Sequence, residues 1–268
     1  MASDNLNAWN TNAAFWDTTL GDRGNDLFQQ LILPSVRSLV GPLGPGSRVL
    51  DLGTGNGMIA RDLAEDGVFV RATDFSVDHI RLAATRARIA GKNISFGLLD
   101  LLKEDELDRF VEEYRGDERF DVVVGSMLLK ELSDLEPLAQ FVPKVLKERG
   151  RAIFVNPHPC FHKPAAHRVM ELRENRQTGV QEQVHWIKVT DYLHIDPVQS
   201  QALRGQSEPL TWYHRPIHEM LNPFTQAGLA LKEVQEPSFD DAPVPSEIQN
   251  YHNYPQIPML FIFSLQKR

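Results

Sequence analysis

Three acidic residues, each at or near the end of a short apolar run, carry the chemistry this sequence offers. They are Asp51 in Arg48-Val-Leu-Asp-Leu52, Asp74 in Ala72-Thr-Asp-Phe-Ser76 and Asp100 in Phe96-Gly-Leu-Leu-Asp100. A glycine turn, Gly53-Thr54-Gly55-Asn56-Gly57, follows the first. Glycines reach positive φ and leave no Cβ in a ligand's way, and a helix starting just beyond presents unpaired N–H groups. A carboxylate or phosphate can therefore dock on bare backbone there. The dinucleotide fingerprint is G-x-G-x-x-G, whereas this loop reads G-x-G-x-G with an acid inside the strand end, which weakens a nicotinamide-dinucleotide reading. Asp74 falls about 20 residues after the glycines, the place from which an acid grips ribose hydroxyls in open α/β sheets. Asp100 is placed to accept from an adenine amino group while Leu101 covers the ring. A glycine turn alone can merely connect a strand to a helix, and Asp51 alone can cap that turn. Acids at three consecutive strand ends point instead to one nucleoside lying across them.

The elements that must position these residues read as βαβ units of a mostly parallel sheet. Strands are expected at Arg48–Leu52, Phe69–Thr73, Ile94–Leu98, Asp121–Gly125, Ala152–Asn156, Leu231–Gln235 and Met259–Leu265. Helices are expected at Met58–Asp66, Val77–Ala90 and Leu135–Arg149, stopped by Gly67, Gly91 and Gly150 as left-handed caps. Residues 1–45 form an N-terminal helical annex carrying Trp9, Phe15 and Trp16, and residues 46–156 form the cofactor-binding core. Residues 157–215 are too long for an ordinary α/β loop and read as a folded cap anchored by Val169, Met170, Leu172, Trp186, Ile187 and Tyr192. Residues 216–268 add a helix and the last two strands, completing a single domain.

The whole chain narrows the partners. It has 268 residues, 42% of them hydrophobic, enough for one sizeable core. Its net charge of -8 argues against tracking nucleic-acid phosphates, which needs clustered Lys and Arg. A single cysteine, Cys160, permits no internal disulfide and suits a reducing compartment. The N-terminus lacks a basic-then-apolar leader, and no apolar run approaches the roughly 20 residues that span a bilayer. The expectation is a cytoplasmic protein with a small-molecule partner and no membrane or nucleic-acid partner; oligomeric state is left open.

With these residues in view, the chain resembles the class I S-adenosylmethionine (SAM)-dependent methyltransferases of the small-molecule kind, over most of its length. The resemblance implies that Asp51, Gly53, Thr54, Gly55, Asn56 and Gly57 receive the methionine part and that Asp74, with Phe75 and Ser76, holds the ribose. It further implies that Asp100 and Leu101 read the adenine, and that Ser126 and Met127 after the fourth strand line the pocket. Thr54 stands where a cysteine is common. The implied fold is a Rossmann-like α/β sheet of seven strands, ordered 3-2-1-4-5-7-6 with strand 7 antiparallel and helices on both faces. Trp16 is expected to close over the cofactor, and S-adenosylhomocysteine is the implied product.

Methyl transfer from a sulfonium needs positioning and water exclusion, and a base only where the nucleophile must lose a proton. His158, between Pro157 and Pro159 after the fifth strand, is the first candidate, with His214 second. Phe15, Phe161, Tyr192 and Tyr213 are expected to touch the acceptor with these histidines, and Lys130 and Glu131 to face solvent. Cys160 and His162 lack the spacing and the further ligands of a metal site, so no metal is expected. A nucleic-acid amino-methyltransferase is disfavoured because Ser126-Met-Leu-Leu129 replaces an Asn/Asp-Pro-Pro-Tyr motif. A protein methyltransferase fits the long cap less well. The competing reading is a methyltransferase-like scaffold that catalyses another reaction, such as cyclisation, or serves as a ligand-binding partner.

Overall fold

The computed structural model describes residues 2–240, 244, 246–247 and 250–267. The strands are β1 (Arg48–Leu52), β2 (Phe69–Asp74), β3 (Ser95–Leu98), β4 (Phe120–Ser126), β5 (Leu146–Pro157), β6 (Ala166–Glu174), β7 (Gln181–Val189), β8 (Val198–Ser200), β9 (Leu210–Trp212), β10 (Leu229–Gln235) and β11 (Leu260–Lys267). Seven of them form one sheet in the order β10-β11-β5-β4-β1-β2-β3. β11 runs antiparallel to both neighbours, β5 and β10, and the other pairings are parallel. This is the expected order, with β10 and β11 as the sixth and seventh strands.

Alternation along the central strands feeds two cores. Leu50, Val123, Phe154 and Phe263 enter the core closed by Leu107 and Phe110 of α5 (Glu104–Glu113), Leu138 and Phe141 of α6 (Glu136–Val145) and Phe224 of α7 (Ile217–Gln226). Val49, Val122, Ile153 and Ile262 enter the opposite core, closed by Val36 and Leu39 of α2 (Leu33–Val40) and Ile59 and Leu63 of α3 (Met58–Leu63). Burial on both faces explains why these strands read as nearly continuous apolar runs. Each such Val, Leu, Ile or Phe contributes about 1.5–3 kcal/mol of burial free energy.

One glycine stop is placed as expected and two are not. α4 (Val77–Ile89) starts at Ser76, whose Oγ accepts the His79 N–H at 3.2 Å, and ends ahead of Gly91 at φ +67°. α3 ends at Leu63, three residues short of expectation. Gly67 instead accepts the Gly46 N–H at 2.7 Å, and its Cα lies so near Pro45 that a Cβ would sit 3.0 Å from the proline. α6 ends at Val145, because Leu146 already pairs with Phe120 of β4. The left-handed residue there is Arg149, while Gly150 lies where a Cβ would meet the Lys147 carbonyl at 2.8 Å.

The annex is α1 (Ala2–Leu20) and a π-helical turn, Leu27–Ile32, that runs into α2. Arg86 of α4 holds α1 through ion pairs to Asp17 and Asp22, and donates to the Asp17 carbonyl at 2.9 Å. The cap is two hairpins, β6–β7 and β8–β9. β8–β9 leans on α1, with the Thr211 N–H donating to Asn5 Oδ1 at 3.0 Å and Asn12 Nδ2 donating to the Glu208 carbonyl at 2.8 Å. Two expected anchors of the cap are corrected: Leu172 and Trp186 stand 62% and 48% exposed on the β6–β7 hairpin. Among the described residues, no helix is long and apolar enough to cross a membrane.

Candidate functional site

The loop after β1 lies at the carboxyl edge of the sheet, where open α/β sheets bind ligands. Gly53, Gly55 and Gly57 all take positive φ, at +64°, +56° and +80°. Gly53 is packed from behind, since a Cβ there would lie 2.9 Å from Leu128 Cδ1. Gly55 differs: nothing lies within 4 Å of its Cβ position, so its peptide opens onto a cavity. That cavity, of about 360 Å³, runs from Asp100 and Leu101 past Asp74 and Asp51 to a chamber walled by Trp9, Trp16 and Trp212.

Asp51 is buried and accepts the Thr54 hydroxyl at 2.6 Å. Burial, reinforced by the neighbouring Asp74 charge, pushes its carboxyl up to about 7. Asp74 is buried too and accepts the N–H groups of Gly55 and Ser76, each at 2.9 Å. Burial raises its carboxyl above the ordinary range, and the nearby His79 and these backbone donors offset part of the rise. Asp100 Oδ1 accepts the Leu102 N–H at 3.1 Å, which fixes the carboxylate at the far end of the cavity. Phe75, Thr54, Asn56, Ser126, Met127 and Trp16 line the same space. Met127 takes φ +56° and donates its N–H to the Val155 carbonyl at 2.7 Å, turning the chain sharply off β4.

SAM fits this lining. Ser126 Oγ and Trp16 Nε1 are buried without a hydrogen-bond partner. The Cβ side of Gly55 is open while its N–H is taken by Asp74, and two buried carboxylates suit a cationic nucleoside that brings hydroxyl donors. Gly53, Gly55 and Asn56 would hold the amino-acid tail, Asp74 the ribose, and Asp100 with Leu101 the adenine. Gly57, which turns the chain into α3 at φ +80°, does not line the cavity, and Ser76 is a second correction. Its Oγ donates to Asn10 Oδ1 at 2.6 Å while capping α4, and it does not line the cavity.

The acceptor side departs further from expectation. His158 is 1% exposed and does not line the cavity. Its Nε2 bonds Glu236 at 2.8 Å and its Nδ1 accepts the Cys160 N–H at 3.1 Å, so both ring nitrogens are committed. Burial lowers its pKa, with Glu236 opposing, and the neutral ring ties the loop after β5 to the residue following β10. His214 gives its Nε2 to the Tyr192 carbonyl at 2.7 Å, and the Tyr192 hydroxyl accepts the Ile217 N–H at 3.0 Å at the start of α7. Neither reaches the cavity. Phe161 stacks on His158 with ring centroids 4.6 Å apart, and Phe15 packs toward Gly205. Of the expected acceptor contacts, Tyr213 lines the cavity.

Other side chains take those places. His162 lines the chamber and shares a 3.0 Å hydrogen bond with the Tyr251 hydroxyl; burial first, then Arg168, pulls its pKa down to about 4, so it is neutral. His79 lies beside Trp9, ring centroids 5.4 Å apart, with both ring nitrogens buried and without partner. Lys130 and Glu131, expected in solvent, form an ion pair on the chamber wall with side chains 16% and 12% exposed. Trp9 Nε1 reaches Glu131 at 3.4 Å, and Lys130 Nζ stands 5.3 Å over the Trp212 ring. The reason is local geometry. The chain leaves Met127 as a 3-10 turn, Leu129–Glu131, from which both side chains reach the cavity. Among the described residues, no group of three or more His, Cys, Asp or Glu side chains is arranged to hold a metal ion.

Comparison with known proteins bears on the family and the fold. A methyltransferase-domain family profile matches residues 43–212. The ubiquinone biosynthesis O-methyltransferase of Erwinia tasmaniensis is 28% identical over 109 residues, 41% of this chain and 42% of that protein. The chain thus aligns with less than half the length of the curated relatives it matches. A SAM-dependent methyltransferase structure from Mesorhizobium loti superposes with a TM-score of 0.61 at 23% identity, covering 87% of this chain and 96% of the other. The [4+2]-cyclase SpnF superposes with a TM-score of 0.59 at 16% identity, covering 97% and 94%. At these identities the structural likenesses speak for the fold, and the profile, spanning more than half of the chain, speaks for the family. The chain belongs to the methyltransferase-domain family and has the fold of the class I SAM-dependent methyltransferases.

Proposed function

We propose that this protein transfers the methyl group of SAM to an oxygen atom of a small organic acceptor with a substantial apolar part. The observation that carries the proposal is the continuity of one cavity, from the three strand-tip acids to a chamber walled by Trp9, Trp16 and Trp212. Strand order supports the assignment of the two ends. Adenine at β3, ribose at β2 and the amino-acid tail at β1 leave the sulfonium pointing toward β4, whose tip carries Met127, Lys130 and Glu131. Transfer to oxygen is favoured by the relatives, which are named as O-methyltransferases.

SAM supplies an activated methyl carbon, so the chain's own work is positioning and exclusion of water. The Gly55 peptide and the Asp74 carboxylate fix the donor, α1 roofs it through Trp9 and Trp16, and β8–β9 closes the chamber through Trp212. Incubating the protein with isotopically labelled methyl donor and a metabolite mixture, followed by mass spectrometry, is expected to place the label in an acceptor and release S-adenosylhomocysteine. Absence of both products refutes transfer. An apolar chamber on a fold shared with SpnF also suits cyclisation. That second reading predicts an acceptor converted without change of mass and without consumption of the donor.

A further inference from the structure

An ion pair is costly to place in an apolar chamber, because each charge gives up its hydration. Lys130 and Glu131 nevertheless stand together on the chamber wall, and their positions are over-determined. The Lys130 carbonyl accepts the Tyr213 N–H at 2.8 Å. The Leu129 and Leu132 carbonyls accept from Arg215 at 3.0 and 2.7 Å. The turn bearing the pair is thus clamped from the cap side, while Trp9 of α1 bonds Glu131 from the other. His162, which also lines the chamber, has its Nε2 engaged by the Tyr251 hydroxyl at 3.0 Å.

We infer that Lys130 and Glu131 select and activate an acidic hydroxyl, a phenol or enol, as the methyl acceptor; this rests on the methyltransferase reading above. The argument is one of lone pairs. A hydroxyl oxygen carries one proton and two lone pairs. The proton passes to the Glu131 carboxylate, one pair accepts from the Lys130 ammonium, and the other forms the bond to the methyl carbon. The electron pair of the breaking C–S bond goes to sulfur. Glu131 then loses its proton to solvent and the ion pair re-forms, so that alcohol and sulfonium become methyl ether, thioether and one released proton. A neutral amine has a single lone pair, which cannot both accept from Lys130 and attack carbon. A protonated amine is repelled by Lys130, and a carboxylate acceptor by Glu131. The Trp9, Trp16 and Trp212 rings suit a planar aromatic body.

The test uses 1-naphthol, 4-nitrophenol and 1-naphthylamine with labelled SAM, and calorimetric titration with S-adenosylhomocysteine alongside. Wild type is expected to methylate the two phenols, with naphthylamine at least tenfold slower. Glu131→Gln is expected to lower turnover of 1-naphthol by about 100-fold, the usual worth of a general base. It should cost less than tenfold with 4-nitrophenol above that compound's own pKa, where no proton remains to be removed. Lys130→Met is expected to raise KM for both phenols at least tenfold. The double variant Lys130→Met/Glu131→Leu removes both charges together and should lose phenol methylation while still binding S-adenosylhomocysteine, which covers the case of a single variant that misfolds. Equal loss with both phenols in Glu131→Gln, methylation of naphthylamine at the naphthol rate, or no methylation of either phenol overturns the inference while cofactor binding keeps the broader reading intact. Failure of wild type to bind S-adenosylhomocysteine overturns that broader reading and the inference together.

Discussion

Replacing Gly55 by alanine separates what the fold needs from what the ligand needs. Gly55 sits at φ +56° with nothing within 4 Å of a built Cβ. The cost to the protein alone is therefore the left-handed backbone penalty of about 1–2 kcal/mol, reduced by the few tenths to 1 kcal/mol that alanine gains from a less flexible unfolded chain. Gly91, beyond the end of α4, provides the control: its φ is +67° and nothing lies within 4 Å of it either. Gly91→Ala and Gly55→Ala should lose similar stability, about 1 kcal/mol, or roughly 2–4 °C in melting temperature for a chain of this size. Their effects on SAM should diverge. A methyl group on the open peptide displaces the amino-acid tail, and losing about two charge-assisted hydrogen bonds at 1.5 kcal/mol or more each weakens binding by about 3 kcal/mol, roughly 100-fold. Calorimetric titration beside thermal melts measures both quantities on the same samples. A Gly55→Ala protein binding SAM within threefold of wild type would show that the tail does not lie against this peptide.

Three further outcomes are expected. Asp74→Ala should weaken SAM binding tenfold or more, about 1.4 kcal/mol, through loss of the ribose hydrogen bonds; unchanged affinity removes Asp74 from the site. Burial keeps Asp51 protonated up to about 7 in the free protein, and a cationic ligand favours its ionised form. SAM affinity should thus rise as pH rises through about 7 and weaken about tenfold per pH unit below it, with Asp51→Asn flattening that profile; a wild-type profile matching that of Asp51→Asn refutes the linkage. His158→Ala should lower stability by about 2–3 kcal/mol, because Glu236 and the Cys160 N–H lose their partner, and leave turnover of the folded enzyme unaltered. A large loss of turnover at an unchanged melting temperature would return His158 to the reaction.

The glycine loop and the three strand-end acids were legible from sequence because their positions are set by backbone. A glycine loop after an apolar strand and acids at successive strand ends are local signals, and the parallel sheet converts their spacing into one edge. Ser76 shows the limit even there, since the need of α4 for an N-cap competes for its hydroxyl. The acceptor half depends on side-chain direction, which sequence spacing leaves open. Flanking prolines rightly suggested a fixed His158, yet fixed its ring toward Glu236 and away from the chamber. Lys130 and Glu131 read as solvent-facing because Lys and Glu side chains are mostly exposed. The left-handed Met127 and the 3-10 turn after it reverse that, and the one available clue was a strand-tip position beside the glycine loop. The two misplaced glycine stops have a similar origin. Gly67 and Gly150 answer to close backbone contacts with Pro45 and Lys147, and α6 yields Leu146 to a strand pairing that a helical period cannot foresee.

Donor and acceptor halves meet at one ring. Trp9 stands edge-on to His79, 5.4 Å between centroids, and 5.5 Å from Trp16, which places it over the cofactor side. The same indole N–H reaches Glu131 on the β4 side. α1 is itself held at both ends of this span, by Arg86 of α4 and by the Asn5 and Asn12 contacts to β8–β9. A helix held in this way has one seating that satisfies the Arg86 ion pairs, the cap and Glu131 together. That seating holds the Trp9 indole N–H against the Glu131 carboxylate on the chamber wall.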